Sequence, residues 1–97
     1  MKTDMNTLIH LPDLLFVQWY YDEFGINRGV YNTIDSWFYQ KGIREITQRR
    51  KYILKFTFSL YQHFDQKQKI KFGPGGLVIS LNNFWDVFIE RGLKQNA

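Results

Sequence analysis

Hydrophobic and polar positions alternate most regularly in residues 52–64, the stretch YILKFTFSLYQHF. The apolar even positions are 54, 56, 58, 60 and 64, and the odd positions are mostly polar. A period of two is typical of a strand with one face on the core and one in water. The pattern therefore predicts a central strand with Phe56 and Phe58 inward and Thr57 outward.

Two helices are predicted before this strand. The first covers residues 12–24, with Pro12 in its first turn and Gly25 as its stop signal. The second begins at about Asn27, or later if Asn32 is the cap, and ends before Gly42. Apolar residues at helical spacing fill one stripe of each predicted helix, and for the second helix they are Val30, Ile34, Trp37 and Phe38.

Short extended segments surround the central strand in the predicted topology. Residues 8–9 form an edge strand, residues 44–51 form either a further helical turn or a loop, and residues 65–68 reverse the chain. Alternation resumes in residues 69–72, breaks at the glycine-rich tip 73–76, and returns as an extended run in residues 77–81. We expect an antiparallel β-meander, followed by a last helix that starts at Asn82 or Asn83, ends at Gly92 and turns Phe84, Val87 and Phe88 inward.

Composition limits the class of protein. The 97 residues suffice for one domain, and an aromatic fraction of 19% predicts a core built from rings. The chain contains no cysteine, which excludes disulfides and thiolate zinc sites. The start of the sequence does not resemble a signal peptide, and no uncharged apolar run approaches the ~20 residues of a membrane span. We therefore expect a soluble, cytoplasmic protein that does not bind membranes.

Positive charge is concentrated in residues 41–71. Nine basic residues face two acidic ones there, a local balance of +7, whereas the whole chain carries +4. Such a segment favours a polyanionic partner, although it also fits a solubilising surface. The candidate nucleic-acid-binding residues are Lys41, Arg44, Arg49, Arg50, Lys51, Lys55, Lys67, Lys69 and Lys71.

Catalytic and metal-binding patterns are weak in this sequence. His10 and His63 lie far apart with no carboxylate at a ligand spacing, the acidic residues are scattered, and no serine lies in a nucleophile-elbow context. The glycine-rich tip lacks the Lys-Ser/Thr pair of a P-loop. We therefore expect a protein that is not an enzyme and uses no cofactor or metal.

One segment resembles a known family. Asn32-Thr33-Ile34-Asp35-Ser36-Trp37, followed by Gly42-Ile43 and a strand-rich region, is similar to the small winged-helix proteins of the phage excisionase and MerR-like type. The resemblance implies a helix-turn-helix followed by a β-wing, with Thr33 and Ser36 facing a DNA groove. It implies a role in recombination or in transcription control.

The sequence thus predicts an α+β, winged-helix-like domain that binds DNA. The candidate cations would neutralise phosphates, and the second helix would supply base readout. The alternative is a small protein-binding inhibitor, for example a phage-encoded anti-defence or anti-CRISPR type protein, that uses the same basic face. Sequence alone does not separate these two functions, and it leaves the oligomeric state open.

Overall fold

A computed structural model describes residues 4–63 and 75–90, and every regular element within these ranges is helical. The helices Arg28–Gln40 and Ile46–His63 pack against each other, and each of the remaining α-helices packs against one of these two. The elements are α1 (Met5–Ile9), α2 (Asp13–Phe24), α3 (Arg28–Gln40), α4 (Ile46–His63) and α5 (Gly76–Phe84), and α5 continues directly into a π-helical segment, Trp85–Glu90.

The predicted α+β, winged-helix-like fold is wrong, because the described part of the chain contains no strand and residues 52–63 of the predicted central strand lie inside α4. Phe56 and Thr57 are adjacent in sequence, and both are buried, whereas Phe58 is 44% exposed. Adjacent residues cannot face the same side of a strand, but they do so on a helix. Buried positions 49, 50, 53, 54, 56 and 57 form one helical stripe.

The two helices predicted before this segment are confirmed. Residues 12–24 correspond to α2, which ends at Gly25 in the left-handed conformation with φ of 72°. The second predicted helix is α3, and Asn27 caps it by accepting a hydrogen bond from the Val30 N–H at 2.9 Å. Local capping signals were therefore sufficient to place these helix ends.

Other predicted extended segments are also helical. Residues 8–9 belong to α1, residues 77–81 belong to α5, and the last helix begins at Gly76 instead of Asn82 or Asn83. Phe84 is buried as expected, but Val87 and Phe88 are about half exposed. The predicted reversal at 65–68, the alternating run 69–72 and the helix end at Gly92 lie outside the described residues.

Aromatic rings from several helices fill the core. Tyr20 stacks beside Phe16 and meets Tyr31 edge-on, and Phe38 meets Phe56 and Phe84 edge-on at centroid distances of 6.4 and 6.1 Å. One buried polar contact joins α2 to α4. The Thr57 hydroxyl donates to the Ile53 carbonyl at 2.8 Å and lies 2.6 Å from the Tyr20 hydroxyl. Since the Thr57 proton is used within α4, Tyr20 is the donor across the helices.

No helix among residues 4–63 and 75–90 is long and apolar enough to cross a membrane. Within the same ranges, no three His, Cys, Asp or Glu side chains lie close enough together to hold a metal ion.

Candidate nucleic-acid interface

The turn between α3 and α4 carries two of the predicted cations, and local backbone rules determine its shape. Gly42, with φ of 102°, ends α3 in a Schellman motif: its N–H donates to the Tyr39 carbonyl, and the next N–H, from Ile43, donates to the Phe38 carbonyl. Glu45 then caps α4 by accepting a hydrogen bond from the Gln48 N–H at 3.0 Å. Both ends of the turn are therefore fixed.

Hydrogen bonds to the Glu45 carboxylate also stabilise its ionised form. It accepts a short hydrogen bond from the Thr47 hydroxyl. This bond, followed by the bond from the Gln48 N–H, lowers the pKa of Glu45. The carboxylate is thus ionised at neutral pH, and it places a negative charge at the start of α4.

Arg49 is buried between α4 and α3. Its Nε donates to the Asp35 carboxylate at 2.7 Å, and one Nη donates to the Arg44 carbonyl at 2.7 Å. The guanidinium also lies 5.2 Å from the centre of the Tyr39 ring. Arg49 therefore holds the turn against α3, and its Nε and one Nη donate to groups inside the protein.

Arg50 is more deeply buried, at 3% exposure, and its side chain extends toward the connection between α1 and α2. One Nη donates to the carbonyls of Ile9 and Leu11 at 2.9 and 2.7 Å, and the second lies 3.3 Å from the Asp13 carboxylate. The guanidinium covers the Phe16 ring at 4.5 Å. Arg50 thus satisfies carbonyls at the end of α1 that have no partner within that short helix.

Burial also affects a neighbouring tyrosine. Desolvation raises the pKa of Tyr31 to about 12, and the negative charge of Asp35 acts in the same direction, while Arg50 opposes it. Tyr31 remains neutral throughout the physiological range. The buried polar layer between the helices is therefore held by arginines and carboxylates, with neutral tyrosine beside them.

A second group of cations lies on the surface against aromatic rings. The Lys41 ammonium is 4.9 Å from the Trp37 ring centre and 5.5 Å from that of Trp85. The two indoles meet edge-on at 5.8 Å, although they come from α3 and the π-helical segment. Trp37 and Trp85 are both half-buried, so neither residue is fully enclosed in the core.

Tyr52 and Lys55 of α4 extend this group. The Tyr52 ring stacks on Phe38 at 6.0 Å, and Trp85 contacts the same Phe38 ring at 6.3 Å. Lys55 is exposed, and its ammonium lies 5.9 Å from the Tyr52 ring centre. The rings of Trp37, Tyr52 and Trp85 thus all pack on Phe38, and we call the group of Trp37, Lys41, Tyr52, Lys55 and Trp85 the lysine–tryptophan face.

The other predicted cations have different positions. Arg44 is exposed, and its guanidinium lies 4.4 Å from the ring centre of Tyr39. Lys51 is half-buried one helical turn before Lys55. Lys67, Lys69 and Lys71 lie outside the described residues. The structure thus places Lys41 and Lys55 against rings that pack on the same Phe38, whereas the guanidinium groups of Arg49 and Arg50 are buried.

Sequence reasoning missed Trp37 and Trp85 as partners of these lysines. Trp37 was predicted to lie in the core, and it does pack on Phe38 at 5.2 Å, but its indole also reaches the surface. The spacing of Trp37 and Lys41, four residues apart on a predicted helix, was the available signal. Nothing in the sequence indicated that Trp85 would join them.

Comparisons with known proteins relate the chain to part of one curated protein. The RNA-binding riboflavin kinase RibR of Bacillus subtilis (strain 168) is 42% identical to it over 84 residues. The alignment covers 84% of this chain and 36% of that protein, so the chain spans about a third of its relative's length. No protein-family model matches the chain, and no solved structure matches it.

Proposed function

We propose that this chain is an RNA-binding module and that the lysine–tryptophan face is its contact surface. The observation that carries the proposal is the cluster in which Lys41 lies over Trp37 and Trp85. Lysines that neutralise phosphates next to aromatic rings that stack on bases are the recurring components of surfaces that bind single-stranded nucleic acids.

The relative supports RNA as the ligand. RNA binding is part of that protein's name, and the segment it shares with this chain covers most of the chain described above. We propose that RNA binding belongs to this shared segment. The DNA prediction rested on the basic segment 41–71 and on a winged-helix fold; that fold is wrong and the relative's name specifies RNA, so RNA replaces DNA in the proposal.

The proposed role is binding without catalysis. The kinase activity in the relative's name belongs to a protein of which this chain matches 36%. In the described residues, Asp35 is paired with Arg49, and Glu45 caps α4. These carboxylates have structural tasks, and we assign no reaction to them. Incubation of the chain with riboflavin and ATP is expected to give no phosphorylated product.

Removal of two cations tests the proposed face. We expect the double variant Lys41→Gln, Lys55→Gln to bind a fluorescent unstructured RNA more weakly, whatever the RNA sequence. Phosphate contacts position the ligand but do not distinguish one base sequence from another. For single strands, log K falls with log[salt] at about −0.7 per contact, so losing two contacts should flatten the slope by about 1.4. Fluorescence anisotropy across a salt series measures both quantities.

A charge-matched control separates the face from general electrostatics. Asn6→Asp with Arg28→Gln lowers the net charge by the same amount, but it does so at exposed positions near the starts of α1 and α3, outside the face. We expect this control to keep most of the affinity. Equal losses in both double variants would refute the assignment of the face. If neither RNA nor DNA bound at low salt, the function itself would be refuted, and the inhibitor alternative would be tested next by capture of a protein partner.

A further inference from the structure

A polar groove runs along α3 beside the lysine–tryptophan face. It has a volume of about 370 Å³ and is lined by Asn32, Thr33, Ser36, Trp37 and Gln40. The four polar residues are exposed, and none of them belongs to the face itself. The groove therefore adds hydrogen-bonding groups at the border of a surface that otherwise offers cations and rings.

The helical repeat arranges these residues in two parallel rows. Asn32, Ser36 and Gln40 follow one another at intervals of four residues, and Thr33, Trp37 and Lys41 form the neighbouring row. Each row spans about 12 Å along the helix axis. An amide or hydroxyl group thus lies next to the indole, and the Lys41 ammonium lies one turn beyond it.

The chemistry of each row fits a different part of a nucleotide. The amides of Asn32 and Gln40 carry both donors and acceptors, which suits the edge of a base. The Thr33 hydroxyl donates to the Gly29 carbonyl at 3.1 Å and keeps its oxygen as an acceptor. The Trp37 ring offers a stacking surface, and Lys41 offers a charge for the adjoining phosphate.

We infer that this groove is a subsite for an unpaired RNA nucleotide, whose base stacks on Trp37 and presents its edge to Asn32, Ser36 and Gln40. The inference rests on the proposed function and deepens it, because it specifies single-stranded RNA. A base inside a duplex is stacked on its neighbours and has no free face for the indole, so duplex RNA would offer Lys41 only its phosphates.

Substitutions at Ser36 test the subsite without touching the core. Ser36 is exposed, and Ser36→Glu introduces bulk and a negative charge into the middle of the groove. Ser36→Gln introduces the same bulk without the charge and is the matched control. We expect the glutamate variant to lose about 5-fold to 150-fold in affinity for unstructured RNA, the range produced by losing one stacked base. The glutamine variant should lose less, and thermal unfolding should show both variants folded.

Trp37 fluorescence gives an independent readout. In a Trp19→Phe variant, Trp85 of the face stays in place, and adding Trp37→Phe to that variant isolates the contribution of Trp37, since the chain has 3 tryptophans. Saturating unstructured uridine-rich RNA should quench the Trp37 emission, whereas a blunt RNA duplex should bind more weakly and leave the emission unchanged. Equal quenching and equal affinity for duplex and single strand would overturn the subsite while leaving RNA binding intact. Absence of binding to either RNA by the wild-type chain would overturn the proposed function instead.

Discussion

The side-chain directions of three consecutive residues in α4 give the sharpest test of the fold. In the structure Phe56 is 1% exposed, Thr57 is fully buried, and Phe58 is 44% exposed. A strand would place Phe56 and Phe58 on the same face and Thr57 on the opposite one. Substitutions at these positions therefore give opposite results for the two conformations.

The expected magnitudes follow from burial. Phe56→Ala removes a buried ring that contacts Phe38 and Phe84, so it should lower the free energy of unfolding by about 3–5 kcal/mol. The Phe58 ring meets Phe24 edge-on at 5.6 Å and is nearly half exposed, so Phe58→Ala should cost about half as much, ~2 kcal/mol. In a strand, the two losses would be similar.

Glutamate substitutions increase the contrast. Thr57→Glu places a carboxylate in the core beside Tyr20 and Ile53, and an uncompensated buried charge costs at least several kcal/mol. That loss is comparable to the total stability of a small domain, so we expect this variant to be unfolded. Phe58→Glu places a good helix former on the exposed side of α4, and we expect it to remain folded.

Urea denaturation followed by far-UV circular dichroism measures these effects, because the transition midpoint reports stability when the slope is unchanged. A folded Thr57→Glu protein together with an unfolded Phe58→Glu protein would refute the helical assignment. Equal losses for Phe56→Ala and Phe58→Ala would also contradict it.

Two further predictions concern the buried polar layer. Arg50→Met should lower the free energy of unfolding by about 3–5 kcal/mol, because the carbonyls of Ile9 and Leu11 lose their donor. Lys51→Met should change the free energy of unfolding by no more than about 0.5 kcal/mol. Chemical denaturation measures both, and equal effects would contradict the burial of Arg50. The pKa of Tyr31 is raised to about 12 from 10, so the folded state holds this proton more tightly, and stability present below pH 10 should fall as pH rises toward 12. Thermal melts of wild type and Tyr31→Phe across this interval should show the steeper decline in wild type, and parallel declines would exclude the shift.

Local signals were enough to predict the N-terminal helices. Asn27 offers a side-chain acceptor just before an apolar stripe, and Gly25 and Gly42 adopt the left-handed conformation that ends helices. These interactions lie within a few residues of each other, so they can be read from the sequence. The same holds for the helical spacing of Trp37 and Lys41.

The error at α4 has a physical cause. Its aromatic and β-branched residues favour strands, and its apolar residues also happen to alternate. The same sequence also contains a helical stripe through Ile53, Leu54, Thr57 and Leu60. This stripe is apolar only if Thr57 is treated as a core residue. The run between Gly42 and Gly73 contains no glycine or proline, and this length free of helix breakers was the signal that favoured a helix.

The separation of the cations into buried and exposed groups could not be predicted. Arginines are rarely fully buried unless they are paired, and the partners of Arg50 lie 37 to 41 residues away in sequence. Only the tertiary fold brings those carbonyls to it. The charge count of residues 41–71 therefore predicted a basic surface larger than the one the described residues provide.

The contacts of Arg50 also impose an order on folding during synthesis. The carbonyls at the end of α1 receive their donor only after residue 50 has left the ribosome, because the Arg50 side chain is the group that reaches them. Until then α1, with five residues, is too short to persist alone, so it remains a fluctuating segment. Helix α1 is thus completed by α4, and it joins the fold late although it is synthesised before α4.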